Sequence, residues 1–582
     1  MTRVAMPLPR AASVRVSSDL AHVALIGVAL GVWAFALRSA HLDRMSGLGL
    51  LNALPRTYAL AFAMLLIGFM IAVSRPVLRP RVLWLYVIAL ILVLHATAPL
   101  LYDEPRYAWT YKHLGVINSI VAQGSVNRSL DIYANWPGFF ALNAWLSAAT
   151  GVQPIVWAGW AQVAFNLLWV GACRFALRGA TSDQRVLWTG TWLFLLGNWL
   201  GQDYLAPQAL GMVMALIIVG LALRVARVRA DAPVAPGRPA LIVGTLCWIA
   251  VLVSHQLTPV LLILALGALS ITTRRLPLWV PIAMGVTEIC WLVYAWPFLG
   301  QTISLFDSDP TKNAHPSGYV PGHGLPGLQI VGMAARASVG IFGALAIAGF
   351  VHRLRAGRTE WALTALVAGP VLTMGMQAYG GEGPFRIYLF ALPWLALLGA
   401  TAVVPRPAAM RLRNRVPWRL AIASVAAGAA LLPAYFGLDL MNRITPDDVK
   451  AATWFDRNTP DGSVLTYVVP NFPNRLTAQY GRHLVPASSF APNLADEPAF
   501  REHKLGRADT PNIAAFLSHL PSRNAYIVLS PSQADAGRLY GGLPAGSMES
   551  LDHALAADPA FQLVYRHGRA SIYKLRRTRA SG

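Results

Sequence analysis

The chain has 582 residues, of which 55% are hydrophobic and only 13% are charged, and its formal net charge at pH 7 is +22. Soluble domains carry about 25% charged residues, so this composition excludes an ordinary soluble protein and indicates an integral membrane protein. The arginines gather in short loops between apolar runs, and no basic helix is interleaved with aromatic residues, which argues against nucleic acid as a partner.

Thirteen apolar segments predict transmembrane helices, because runs of about 18 apolar residues are long enough to span a bilayer. These segments lie near residues 21–38, 57–74, 82–100, 154–177, 186–201, 205–224, 239–256, 258–273, 277–296, 327–351, 361–378, 386–404 and 419–436. If the N-terminus is cytoplasmic, every connection on that side is rich in arginine, as the positive-inside rule requires. The sequence therefore predicts a multi-pass protein of the cell membrane with a cytoplasmic N-terminus, in which residues 1–100 hold the N-terminal helices.

Residues 101–153 predict an external loop that follows the third helix. The loop opens with the motif YDEPRY, in which the adjacent carboxylates Asp103 and Glu104 stand at the mouth of a membrane span. The later stretches IVAQGSV and WPGFFALNAWLSAATGV predict short helices in the membrane interface, a depth that suits the side chains of Trp109, Trp136 and Trp145. The alternative is an ordinary long loop with interfacial anchors.

Residues 154–437 predict the core of the membrane domain. Five external connections, counting the YDEPRY loop, bring polar side chains to one side of the bilayer. These side chains are Asp103, Glu104, Asp131, Asp203, Gln208, His255, Gln256, Glu382 and Arg386. Only Glu288 is placed clearly within a span, where an ionisable group is usually functional or paired. The stretch 298–327 is rich in glycine and proline and contains four histidines and aspartates, and it predicts a mobile lid rather than a metal site.

Residues 438–582 have a different character and predict a small external α/β domain. Thr445 precedes a helical stretch as a candidate N-cap, and a Pro-Asp-Gly turn and a strand follow. The segment NAYIVLS predicts a second strand, SMESLDHALAADPAF a helix capped by Ser547, and FQLVYRHGRASIYKLR a hairpin that turns at His567-Gly568. The domain has no GxSxG elbow, no P-loop and no metal-ligand cluster, so we expect it to position an acceptor or to contact a partner.

These features resemble the GT-C superfamily of integral-membrane glycosyltransferases, which use polyprenyl-phosphate sugars as donors. The resemblance lies in the acids of YDEPRY, in NWPGFFALNAWLSAATGVQPIVWAGW as the second interfacial helix that leads into the next span, and in NWLGQDYLAPQ as the next short external turn. Members of the superfamily carry an acid in the first large external loop, and several have a soluble external C-terminal domain. The resemblance covers residues 100–440 and departs from the family pattern in two extra spans before the acid motif, which leave its side of the membrane unchanged.

The resemblance implies an inverting displacement in which a carboxylate accepts the proton of the acceptor hydroxyl as the anomeric bond breaks. Asp103 is the first candidate for this general base and Glu104 the second, because a carboxylate beside its twin at the edge of low dielectric has a raised pKa. Arg386 and then His255 are the candidates for the lipid phosphate, whose growing negative charge needs cations or hydrogen-bond donors. Substrate binding is assigned to Arg106, Lys112, His113, Asp131, Trp136, Asp203, Tyr204, Gln208, Gln256 and Glu382.

Several of these assignments have a structural alternative. His255 can hydrogen-bond a neighbouring carbonyl, Arg386 can extend its charge to the interface, and Asp131 and Asp203 can cap turns. We predict no metal site, although the acid pair offers two carboxylates that could hold a divalent cation such as Mg²⁺ or Mn²⁺.

The implied partners are a polyprenyl-phosphate-linked sugar, membrane lipids, and a glycan, lipid or protein acceptor of a bacterial cell envelope. Two other classes of function compete with this interpretation. A transporter or lipid flippase would carry charged residues deep within several spans and often an inverted repeat. A non-catalytic scaffold for envelope assembly would keep its function after the substitution Asp103→Asn.

Overall fold

The computed structural model describes residues 10–226, 228, 237–302, 323–375, 383–404, 416–479, 481–483 and 492–576. The long helices of the membrane part span Arg10–Arg38, Arg56–Ser74, Pro80–His95, Ala161–Leu177, Gln184–Gly197, Pro207–Val225, Arg238–Leu252, Thr258–Thr273, Trp279–Thr302, Leu328–Arg355, Trp361–Val371, Gly383–Val403 and Trp418–Phe436. The helices between and beside them span Leu50–Ala53, Thr97–Leu101, Ala108–Gln123, Gly138–Thr150, Pro154–Ala158 and Asp439–Asn442.

The predicted polytopic α-helical architecture is confirmed, whereas the count of thirteen spans is not. Seven helices in the described part of the chain are long and apolar enough to cross a membrane. Each remaining predicted segment contains a shorter helix, and two segments are interrupted. The segment 82–100 breaks at Ala96, and the segment 154–177 breaks at Gly159-Trp160. A helix rises 1.5 Å per residue, so a helix of about 16 residues falls short of a hydrocarbon core of about 30 Å.

The helix Gln184–Gly197 lies at the centre of the bundle, and its side chains from Val186 onward are buried. Trp192 stacks face to face on Phe69, with ring centroids 3.9 Å apart. Gly383–Val403 packs beside this central helix. Helices at the periphery, such as Trp279–Thr302, instead expose many large apolar side chains, as lipid-facing helices do.

The arginine-rich connections and the acid motif lie at opposite ends of the bundle. Arg185 donates hydrogen bonds to the carbonyl oxygens of Val73 and Pro76, at 2.7 and 2.6 Å, which joins two of the predicted cytoplasmic connections. At the other end, the backbone N–H of Tyr107 donates to the carbonyl oxygen of Asn442, at 2.9 Å. The acids therefore lie at the same end of the bundle as the C-terminal domain, as the sequence predicts. That domain is called the external domain below after its predicted side of the membrane.

Two helices follow the acid motif. The second lies where the sequence predicts it, whereas the first was predicted at IVAQGSV (residues 120–126) and instead begins at Ala108 and ends at Gln123. The first interfacial helix, Ala108–Gln123, buries most of its side chains between the bundle and the external domain. The second, Gly138–Thr150, exposes Trp145 to 66% of its surface, which agrees with an interfacial anchor. Trp136 does not lie at the interface, because its side chain is buried against Ala295 and Leu299 of a neighbouring helix.

The external domain contains a four-stranded sheet in the order β1-β2-β4-β3, with β1 (Val464–Tyr467) parallel to β2 (Ala525–Leu529) and β3 (Phe561–His567) and β4 (Ala570–Leu575) antiparallel. Its helices span Pro446–Asn458, Thr510–Ser518, Pro531–Tyr540 and Ser547–Ala557.

Local sequence signals place two of these elements correctly and a third with a shift. Thr445 caps the first helix in a capping box with Asp448. The last two strands form the predicted hairpin, in which Gly568 takes a positive φ of 52°. Ser547, however, is the first residue of its helix, and Gly546 is the N-cap.

Candidate functional site

Asp103 and Glu104 lie in a short turn, the acid loop (residues 102–107), between the helices Thr97–Leu101 and Ala108–Gln123. Both acids line a cavity of about 320 Å³, whose wall also includes Tyr204 and the helix break at Gly159-Trp160. Tyr107, at the end of the acid loop, has a positive φ of 69°. Such a conformation is costly for a residue with a Cβ and persists only where surrounding contacts hold it.

The rim of this cavity is apolar on the side of the broken helix. Val156 and Trp160 line the cavity, and 60% and 45% of their surfaces are exposed. The two carboxylates can therefore be approached along a surface that suits a lipid chain.

The pKa of Glu104 is raised by its partial burial and, next, by the negative charge of Asp103. A hydrogen bond to Tyr111 and the positive charge of Lys450 oppose this rise. A carboxylate with a raised pKa accepts protons more readily, which is what general-base catalysis near neutral pH requires.

A buried polar network lies beneath the acid loop and includes Arg106. The Arg106 guanidinium forms an ion pair with the carboxylate of Asp439, and the hydroxyl of Tyr102 donates to the same carboxylate at 2.9 Å. Arg106 Nη1 also lies 3.3 Å from the hydroxyl of Tyr435 and from Gln162 Oε1. Arg106 lines the cavity, but these contacts turn its charge toward the protein interior.

Asp203 belongs to the same network. Its carboxylate accepts hydrogen bonds from Gln162 Nε2 at 2.7 Å and Asn166 Nδ2 at 2.5 Å, and His95 Nδ1 lies 3.2 Å away. Burial alone would raise the pKa of Asp203. The hydrogen bond and electrostatic attraction of His95, together with hydrogen bonds from Gln162 and Asn166, instead hold this pKa below its ordinary value. Asp203 is therefore the centre of a buried network and neither caps a turn nor lines the acid cavity.

Lys112 and Asp131 are brought together on the far side of the first interfacial helix. Lys112 Nζ lies 3.2 Å from Asp131 Oδ2, and Arg475 of the external domain lies 3.3 Å from the same oxygen. Asp131 also accepts the backbone N–H of Tyr133 at 2.8 Å, so the predicted capping role is confirmed. Burial lowers the pKa of Lys112, and the Asp131 carboxylate opposes this effect.

His113, His255 and Arg386 form a second group of basic residues, the basic cluster. His113 Nδ1 lies 2.8 Å from the carbonyl oxygen of Leu205, to which it donates, and burial lowers its pKa to about 4. His255 Nδ1 accepts the backbone N–H of Thr258 at 3.1 Å, and its pKa is lowered by burial, by Arg386 and by His113. The two candidates for phosphate binding, Arg386 and His255, are therefore close enough to influence each other electrostatically.

The remaining candidates have diverse environments. Tyr204 lines the acid cavity and stacks on His113. Gln208 is buried, and neither amide atom has a hydrogen-bond partner in the described part of the chain. Gln256 is half-buried. Glu382 and residues 303–322 of the predicted lid lie outside the described residues.

Sequence reasoning missed His95, Gln162, Asn166, Asp439 and Arg475. The first four follow or interrupt apolar stretches, as in LILVLHATA for His95 and WAQVAFNLLW for Gln162 and Asn166. Polar residues within such stretches are costly unless paired, and this signal could have identified them. Arg475 carries no comparable signal, because it lies in an irregular segment of the external domain.

The acid pair by itself does not complete a metal site. Divalent cations such as Mg²⁺ take about six oxygen ligands, and among the described residues only Asp103 and Glu104 bring carboxylates to the cavity wall. Among the residues whose placement is described, no three His, Cys, Asp or Glu side chains come together in a way that could hold a metal ion.

No protein-family model and no curated protein matches this sequence. Solved structures with a similar fold include ArnT from Cupriavidus metallidurans bound to undecaprenyl phosphate. The two sequences are 15% identical, the TM-score is 0.46, and the match covers 85% of this chain and 97% of the ArnT chain. They also include the Archaeoglobus fulgidus oligosaccharyltransferase tethered with an acceptor peptide. Here the sequences are 13% identical, the TM-score is 0.47, and the match covers 80% of this chain and 71% of the oligosaccharyltransferase chain. At these values the likeness is one of overall fold.

Proposed function

We propose that this chain is a membrane glycosyltransferase of the GT-C type. It transfers a sugar from a polyprenyl-phosphate donor to a glycan, lipid or protein acceptor of the cell envelope, at the outer face of the plasma membrane. The observation that carries this proposal is the cavity in which Asp103 and Glu104 meet an apolar, exposed rim. A proton acceptor beside an opening toward lipid is what a lipid-linked sugar donor requires.

In the proposed reaction, a carboxylate of the acid loop accepts the proton of the acceptor hydroxyl while the oxygen attacks the anomeric carbon. Direct attack breaks the bond to the lipid phosphate on the opposite face, so the configuration of that carbon inverts. Asp103 is the first candidate for the base because it is the more exposed of the two acids. Glu104, whose pKa is raised, is the second. A positioned general base contributes about 10²- to 10⁴-fold to the rate.

The basic cluster supplies the phosphate-binding part of the proposal. Arg386 carries a permanent positive charge that can stabilise the leaving phosphate. His255, with its lowered pKa, is neutral at pH 7 and would act as a hydrogen-bond donor. His113, Tyr204, Gln208 and Gln256 are proposed as further contacts to the donor, whereas Lys112 is buried in its ion pair with Asp131.

The test is a membrane assay with a panel of radiolabelled polyprenyl-phosphate sugars. Wild type should transfer one of these sugars, and Asp103→Asn should lower the rate by about 10²-fold or more. Asp461→Asn is the control, because Asp461 is an exposed residue of the external domain in a surface ion pair with Arg482. Equal rates for wild type and Asp103→Asn would remove Asp103 from the chemistry. Movement of an intact solute without sugar transfer would instead indicate a transporter.

A further inference from the structure

The external domain lies against the first interfacial helix through an irregular segment, residues 474–477. Asn118 of that helix donates a hydrogen bond to the carbonyl oxygen of Leu476, at 3.0 Å. Gly115, one turn earlier, faces the carbonyl oxygen of Arg475 so closely that any Cβ at this position would collide with it. The helix that begins directly after the acid loop therefore packs closely against the external domain.

A buried group of three charges fixes this contact. Asp131 lies between Lys112 of the interfacial helix and Arg475 of the external domain, at 3.2 and 3.3 Å. All three side chains are at least nine-tenths buried. Charges removed from water to this extent are stable only when paired. Loss of Arg475 would therefore leave the buried Asp131 carboxylate with Lys112 as its only cationic partner among these three residues. Arg475 also takes a positive φ of 54°, which a non-glycine residue holds only where contacts determine it.

A second connection reaches the acid loop itself. Asp439 lies in the short helix Asp439–Asn442, which joins the last long helix to the external domain. Its carboxylate binds Arg106 and Tyr102, and the backbone carbonyl of Asn442 accepts the N–H of Tyr107 at 2.9 Å. Three residues of the acid loop, one of them with a strained backbone, are thus fixed by the entry to the external domain.

We infer that the external domain is a positioning element for the acid loop, and that Arg475 and Asp439 are the residues through which it holds Asp103 and Glu104 in place. This inference rests on the proposed function for its catalytic consequence. It gives the domain a role in the reaction without any catalytic group of its own. A domain that only tethered a partner would not need these two buried charge contacts. One is made with Arg106 of the acid loop, and the other reaches, through Asp131, Lys112 of the helix that follows the loop.

The test compares three variants of the full-length protein. Arg475→Gln removes one charge from the group at Asp131, and Asp439→Asn removes the counter-charge of Arg106. Arg482→Gln is the control, because Arg482 also lies in the external domain, seven residues after Arg475, but in an exposed pair with Asp461. Exposed ion pairs contribute little to stability. Two readouts are measured for each variant: hydrogen exchange of the backbone amides of residues 102–115, and kcat and KM for sugar transfer.

We expect faster hydrogen exchange over residues 102–115 in Arg475→Gln and in Asp439→Asn. A misplacement of about 1 Å costs up to about 10²-fold in rate, so kcat should fall by about ten- to hundredfold while KM for the donor stays within about twofold. Arg475→Lys keeps the positive charge and should restore part of kcat. Arg482→Gln should match wild type in both readouts.

The inference is overturned if Arg475→Gln exchanges like wild type over residues 102–115, or if it loses stability while kcat is retained. Should Asp439→Asn fail to fold, Arg475→Gln and its lysine counterpart decide the question alone. Absence of sugar transfer by wild type would contradict the proposed function and not the positional role, because hydrogen exchange tests that role without any substrate.

Discussion

The imidazole of His113 and the phenol ring of Tyr204 are stacked, with centroids 5.6 Å apart and planes 5° from parallel. Tyr204 also lines the acid cavity, so its ring contacts both the cavity and His113 of the basic cluster. In the proposed reaction the acid loop acts on the acceptor hydroxyl and the basic cluster binds the lipid phosphate, so we expect the transferred sugar to lie close to Tyr204.

Tyr204 should therefore influence how the donor is held. Tyr204→Phe keeps the stacked ring and should retain transfer within about threefold, because an aromatic pair contributes about 0.5–1.5 kcal/mol through its geometry. Tyr204→Ala removes the ring and should raise KM for the donor at least tenfold. Steady-state kinetics on both variants checks this, and a Tyr204→Ala enzyme with an unchanged KM would contradict it.

The pH dependence of transfer should reveal the raised pKa of Glu104. Burial and the charge of Asp103 both favour the protonated form, and the base acts only when deprotonated. The rate should therefore rise with pH through a pKa above the ordinary range of a carboxyl group. If Glu104 is the base, Asp103→Asn removes a negative neighbour, lowers the pKa of Glu104 and moves this rise to lower pH. If Asp103 is the base, the same variant loses transfer at every pH.

Asp456 in the external domain should make folding pH-dependent. Burial raises its pKa to about 6 from an ordinary value of 3.8, although Thr477 and Arg475 oppose the rise. His483 Nε2 also faces this carboxylate, at 3.8 Å. The folded state therefore binds the Asp456 proton more tightly than the unfolded chain does. The contribution of this proton to the stability of the folded domain is fully present below about pH 4 and is lost as pH rises through about 6.

Asp456→Asn keeps an acceptor for Thr477, whose N–H and hydroxyl both lie 3.0 Å from the carboxylate, but it cannot ionise. We expect the variant to be more stable than wild type at pH 8 by up to about 3 kcal/mol, at about 1.4 kcal/mol per pKa unit, and equally stable near pH 4. Protease resistance of the external domain against temperature at the two pH values measures this difference. A variant less stable at pH 8 would show that the Asp456 charge is favourable.

Glu288 is a buried acid within a membrane helix, and neither of its carboxylate oxygens has a hydrogen-bond partner among the described residues. Leaving such a group unsatisfied costs about 1–3 kcal/mol, so Glu288→Leu should raise the midpoint of thermal unfolding in detergent. Sugar transfer should be unchanged. Loss of transfer in a stable Glu288→Leu protein would instead support the functional interpretation of an acid within a span.

Gly115→Ala tests the close packing of the external domain. The added methyl group would collide with the carbonyl oxygen of Arg475, and such overpacking costs about 1–3 kcal/mol. The control is Gly171→Ala, because Gly171 also lies within a helix but has open space around the position of a Cβ. Thermal unfolding of both variants should show a loss of stability only for Gly115→Ala.

The sequence by itself determined the membrane class, the helical segments, the sorting of arginines and acids to opposite ends, and the capping of the helix at Thr445. Each of these depends on local composition or on residues three or four positions apart, which a chain encodes wherever it folds. The interruptions at Ala96 and Gly159 escaped this reasoning, because each segment is still mostly apolar on both sides of its break.

Only the tertiary structure decided which polar side chains meet. Asp203 with His95, Arg106 with Asp439 and Asp131 with Arg475 are pairs more than a hundred residues apart. Pairing of this kind depends on how helices pack and not on local pattern. A sequence also does not show whether a charged residue will contact substrate or another charge of the protein. Arg106 and Asp203 were therefore assigned to substrate from the sequence, whereas in the folded chain each is bound to other protein groups because burial requires it.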